Sequence, residues 1–240
     1  MDVFELQSLR ARIVAGIEPL TDESYAERMK IAVPGETPML GVKVPKLRAL
    51  AKELAEEIHL TPQQWVQYIS TVLVDGSREE VLVGAFILGK QTRELDDFFG
   101  ERASQWGREL NNWELTDQLS VPIGWWVLED LSRVGYLEAW AGRGETVWKQ
   151  RLGIVTTVQL NHHGHSHPAE TFRVLRRRME TDDRMLIKAL GWAIREVKDQ
   201  EAVERFLAWW APRVHKTLLT EATKKLPPES RDRVMALTAG

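Results

Sequence analysis

The sequence predicts an all-α protein built as an α-solenoid of about six helix pairs. Three observations carry that expectation. Helix-start signals recur along the 240 residues, apolar residues return at three- and four-residue spacing, and the first helices of successive pairs begin at near-constant intervals. Starts near residues 44, 78, 112, 145, 183 and 215 are separated by 34, 34, 33, 38 and 32 positions. No sequence identity links these units, so the repeat is one of architecture. Stacked pairs bury their faces against their neighbours, and one helix from each contributes to a continuous concave surface. Residues 1–240 are read as one domain, with 1–43 an irregular N-terminal cap.

The elements follow from local signals. Pro45 opens the run Lys46 to Ile58 at a first-turn position, where a missing amide is harmless. Thr61-Pro62-Gln63-Gln64 and Ser77-Arg78-Glu79-Glu80 read as capping boxes ahead of apolar runs. Thr92 is expected to cap Arg93 to Trp106. Asn111 or Asn112 starts a run through Trp113, and Pro122 marks a break before a further helix through Trp126 and Leu131. Gly144 precedes Glu145 to Leu160, and Pro168 opens the run to Met179. Asp182 or Asp183 caps the run to Val197, and Asp199 caps Glu201 to Trp210. Two short helices follow, around Lys216 to Lys225 and Pro228 to Leu237. Gly153 to Val158 is the one stretch that could be a strand, and its neighbours favour a buried helix.

Composition narrows the function classes. The chain has no cysteine, which excludes disulfides, thiolate metal sites and a cysteine nucleophile. The first twenty residues hold no apolar signal core, and no apolar run reaches membrane-spanning length. A cytoplasmic protein with no membrane partner is expected. Net charge is −3, unevenly spread: residues 1–142 hold 14 basic against 23 acidic residues. Residues 143–198 hold 11 against 6 and contain four of the six histidines. Such a segment suits a face that attracts a polyanion, and it equally suits uneven surface charge of no consequence.

Trp113 and Asp117 are four residues apart, which places ring and carboxylate on one helical face. Arg151 falls in the first helix of the next pair and Trp192 in that of the pair after. On a solenoid these four could converge on the inner surface. Each also has a plainer reading, as a core tryptophan, a helix-surface acid or an ion-pair partner.

The stretches Asn112-Trp113-Glu114-Leu115-Thr116-Asp117, Trp148-Lys149-Gln150-Arg151 and Ala189-Leu190-Gly191-Trp192-Ala193-Ile194-Arg195-Glu196 resemble the DNA alkylation-repair glycosylases called AlkD. Leu40-Gly41-Val42-Lys43-Val44-Pro45 is similar to that family's short loop ahead of a helical unit. The resemblance implies a curved HEAT-like solenoid with a concave basic groove. It implies excision of cationic N3- or N7-alkylated purines from duplex DNA without base flipping, by a monomer that needs no cofactor. Trp113, Asp117, Arg151 and Trp192 match the family's key positions. Departures are Arg28 where the family tends to an aromatic, Asn112 before Trp113, and Gln150 before Arg151.

The chemistry implied is economical. A cationic purine leaves without a general acid, so one fixed carboxylate, Asp117, can stabilise the oxocarbenium-like sugar and orient water. Trp113 and Trp192 suit a cationic nucleoside, and Arg151 suits a phosphate. Arg195, Arg176, Arg177 and Lys149 are expected to contact DNA as well, with Trp148 and Arg173 as packing and solvated surface. Asn161-His162-His163-Gly164-His165-Ser166-His167 lacks the spacing of a zinc site and reads as a loop near DNA; no metal is expected. The alternative to a glycosylase is a non-catalytic HEAT-like scaffold that binds nucleic acid or protein.

Overall fold

The structure, a computed structural model, describes residues 1–238. Among these residues the regular elements are fourteen α-helices and five short 3-10 turns. The chain packs as two compact units, Met1–Trp126 and Val127 onward, and each is described by itself.

The first unit holds α1 (Val3–Ile17), α2 (Glu23–Ala32), α3 (Val44–Glu57), α4 (Pro62–Asp75), α5 (Arg78–Leu88), α6 (Phe98–Glu109) and most of α7 (Trp113–Glu129). Like helices stack on like: α3 packs on α5, and α4 on α6, with α4 also against α5. Both expected capping boxes form, with the Thr61 and Ser77 hydroxyls accepting from the Gln64 and Glu80 amides. Each such cap stabilises its helix by about 1 kcal/mol. The core is rich in aromatic side chains. Trp65, Trp106 and Trp126 are fully buried, and Phe99 meets the last two edge-on at 5.5 and 5.4 Å. Trp106 and Trp126 satisfy their indole N–H groups on Ser70 Oγ and the Asp96 carbonyl.

The second unit holds α8 (Val134–Trp140), α9 (Val147–Thr156), α10 (Pro168–Leu175), α11 (Arg184–Glu196), α12 (Gln200–Trp210), α13 (Lys216–Ala222) and α14 (Pro228–Ala236). Here α9, α11 and α13 lie side by side in one row. In the other, α8 packs on α10 and α12 on α14. Stacking of equivalent helices from successive pairs is the α-solenoid arrangement. First helices begin at residues 44, 78, 113, 147, 184 and 216, each within two residues of its expected start. Gly191 lets α13 approach α11 closely: a Cβ there would lie 2.5 Å from Glu221 Cβ.

Several local expectations are corrected. Residues 1–43 contain two helices where an irregular cap was expected. Asp2 forms a capping box with Glu5, and Leu9, Ile13 and Ile17 bury one stripe of α1; Asp22 caps α2. Thr92 begins only a 3-10 turn, Thr92–Glu94, and α6 starts six residues later. Pro122 does not break its helix: α7 runs through it. A proline inside a helix costs about 3 kcal/mol, here offset by burial of Leu119, Ile123 and Trp126 on one face on both sides of it. Arg178 and Met179 lie beyond the end of α10, which stops at Leu175. As expected, by contrast, Gly153 to Thr156 is helical and buried, within α9.

Candidate nucleic-acid interface

Trp113 and Asp117 sit one turn apart at the start of α7. Both are partly exposed, whereas Leu115, Thr116 and Leu119 between and beside them are buried. The helix begins here because Asn112 Oδ1 accepts from the Leu115 amide at 3.0 Å, as an N-cap does. Trp113 Nε1 donates to the Ala32 carbonyl at the end of α2, at 3.0 Å. That bond fixes the indole plane without burying the ring. Indole and carboxylate thus share one solvent-facing stripe.

Beneath this stripe lies a buried charge network. The Glu114 carboxylate receives Nε and Nη2 of Arg78 at 2.5 and 2.6 Å. Arg78 Nη1 donates to Glu79 and to the Val42 carbonyl. Glu79 in turn accepts the backbone N–H groups of Leu40, Gly41 and Val42 at 2.9, 3.1 and 3.1 Å. Gly41 has φ +82°, and a Cβ there would lie 2.0 Å from the Asp22 carbonyl oxygen, so the loop admits glycine alone without rebuilding. Burial works against the Arg78 charge, but the hydrogen bonds and charges of Glu114 and Glu79 outweigh it and raise its pKa above the ordinary arginine value. The network ties loop 40–43 to the residue beside Trp113. Reading the sequence missed it, because Arg78 and Glu79 resemble ordinary first-turn charges of a capped helix.

In the second unit, Arg151 on α9 is 5% exposed, and its Nη1 donates to the Met185 carbonyl at the start of α11 at 2.7 Å. Trp192 and Arg195 follow farther along α11, both partly exposed. Arg195 Nη1 donates to Glu221 at 3.0 Å. The structure therefore brings Arg151 to the helix that carries Trp192.

The other expected DNA contacts sit differently. Lys149 is not on the surface: it is 2% exposed and its ammonium is held by Glu145 at 2.9 Å. The physical reason is their i, i+4 spacing on the inward side of α9. Arg177 is exposed but bonded to Glu138 at 2.9 Å, and Arg173 reaches the same carboxylate. Arg176 follows the end of α10, in the row that does not carry Trp192, with its guanidinium 5.8 Å from the Phe206 ring centroid. Trp148 is partly exposed.

His162 Nε2 lies 3.1 Å from Glu196, which also accepts from Lys225 at 2.6 Å. Burial works to raise the Glu196 carboxyl, yet Lys225 and His162 together hold it below the usual glutamate range. Among the described residues no three His, Asp or Glu side chains are grouped to hold a metal. No described helix is long and apolar enough to cross a membrane.

Comparison with known proteins supplies the remaining finding. A solved structure described as a predicted DNA alkylation repair enzyme from Enterococcus faecalis superposes with a TM-score of 0.73. It is 18% identical, and the match covers 87% of this chain and 97% of that one. At that identity the likeness speaks for the fold. No curated protein matches the chain. The family model for DNA alkylation repair enzymes matches residues 13–226, nearly the whole length. The chain belongs to the DNA alkylation repair enzyme family.

Proposed function

We propose that the protein is a DNA glycosylase that excises cationic N3- or N7-alkylated purines from duplex DNA, without flipping the base. The observation that carries the reading is the pair Trp113 and Asp117. An indole plane fixed by the Ala32 carbonyl stands one turn from a partly exposed carboxylate, on a helix start braced by the Arg78 and Glu114 pair. An alkylated purine already bears a positive charge and leaves as a neutral base. The barrier that remains is charge build-up on the sugar, which a fixed carboxylate opposes while it orients water for attack at C1′. Trp113 offers its face to a cationic nucleoside.

We read Trp192, in the second unit, as an aromatic face of the same kind. Arg151 donates to the Met185 carbonyl, and we read it as the side chain that meets a phosphate oxygen. Arg195 adds charge on the same helix.

The test is release of methylated base from alkylated duplex DNA by the purified protein. Wild type releases N3- or N7-methylpurine, and Asp117→Asn lowers the single-turnover rate by about 10²–10³ with DNA affinity nearly intact. An Asp117→Asn rate equal to wild type would overturn the mechanism. A second reading, a non-catalytic scaffold, draws on the carboxylate-bound Arg177 and Arg195 and the buried Lys149. It becomes the better one if wild type releases nothing.

A further inference from the structure

The acidic first part of the chain contains a local reversal of sign. Residues 43–52 hold Lys43, Lys46, Arg48 and Lys52 and no acid, and all four are exposed. Arg48 is placed more tightly than a surface cation needs to be. Its guanidinium lies over the Phe86 ring of α5, 4.2 Å from the centroid. Its Nη2 donates to Gln118 Oε1 on α7 at 3.2 Å. One side chain thus spans three helices, α3, α5 and α7, and ends on the residue next to Asp117 in sequence.

Arg10, Arg12 and Arg78 of the same unit each hold a carboxylate. Arg48 has no carboxylate partner among the described residues; its contacts are Gln118 and Phe86. Among the described residues, one of its five N–H donors is used. Stacking on Phe86 sets the plane of the fork and leaves its edge to solvent, the geometry with which arginine grips an oxyanion through two parallel bonds. A polyanion that approaches Asp117 meets an acidic unit, and a local cation beside that carboxylate offsets the repulsion.

We infer that Arg48 is a phosphate-holding residue, which grips a phosphodiester of the duplex on which Asp117 acts. This rests on the DNA reading above and adds to it a binding contact in the first unit. The flanking lysines supply looser, sequence-independent attraction to the same backbone.

The test measures affinity of the full-length protein for an undamaged duplex oligonucleotide over a range of salt concentrations. Arg48→Ala is expected to weaken binding roughly three- to tenfold at low salt and to make the log–log salt slope shallower by about one. Arg48→Lys keeps the charge, so it retains the wild-type slope and loses less affinity. Gln118→Ala, which removes only the tether, also keeps the slope. Wild-type affinity and slope in Arg48→Ala would overturn the inference. So would an Arg48→Lys slope as shallow as that of Arg48→Ala, or a wild type that binds no duplex. A wild type that binds through Arg48 yet releases no methylated base leaves the inference standing and overturns the glycosylase reading.

Discussion

Trp113 in the first unit and Trp192 in the second are both partly exposed, and the two are held by different physics. Trp113 is held by polar bonds, its indole on the Ala32 carbonyl and its neighbour Glu114 in the grip of Arg78. Trp192 follows Gly191 and Leu190 on a helix set by close contact, with α13 pressed against the hydrogen of Gly191. A charge network depends on every partner being present, because a buried ion without its mate has lost water and gained nothing. A packed contact depends on volume, and it fails by degrees as atoms are added.

The largest expected effect breaks the polar side of this contrast. Glu114→Ala leaves the Arg78 guanidinium, 1% exposed, beside Glu79 alone. It should cost about 3–5 kcal/mol, read from urea denaturation. The paired change Arg78→Met with Glu114→Leu should recover much of that loss, since it removes both charges; a double variant as weak as the single one would contradict this account. Next is the packed side. Gly191→Ala places a methyl at 2.5 Å from Glu221 Cβ, so α13 has to shift, at about 1–3 kcal/mol. Intrinsic tryptophan fluorescence then separates the two modes: Gly191→Ala should alter the second unit's signal, and a wild-type spectrum with unchanged melting would refute the close-contact reading.

The smallest effect sharpens the comparison at the surface. Arg233 donates to Glu204 at 2.7 and 3.0 Å and, with Ser230, lowers that carboxyl to about 2. A depressed carboxyl stabilises above its unfolded value and loses that contribution as pH falls. The melting-temperature gap between wild type and Glu204→Gln should therefore be present at neutral pH and close between about pH 4.5 and 2. A gap constant over that window would show that the ion pair contributes nothing.

The helix starts were legible because they are written locally. Pro45, the Thr61 and Ser77 boxes and Asp199 each act within four residues. What the sequence concealed depends on distant partners. Pro122 reads as a break until Ile123 and Trp126 are seen to bury the same face as Leu119. Thr92 reads as a cap, but its apolar run starts only at Phe98. In the candidate site, the spacing of Trp113 and Asp117 announces their common face. The pairing of Arg78 with Glu114 does not, since 36 residues separate them. Lys149 was misplaced despite a visible clue, Glu145 one turn before it.

The gathering of three loop N–H groups by Glu79 has a consequence for the unit's internal motions. Leu40, Gly41 and Val42 lie outside any helix, where backbone amides ordinarily exchange with solvent water in brief local openings. These three instead bond to a carboxylate some 38 residues away in sequence, itself fully buried at the start of α5. They are freed only when Glu79 leaves its place, so their deuterium uptake should run at the pace of helix α5. A loop by shape, this segment behaves in time as part of the core.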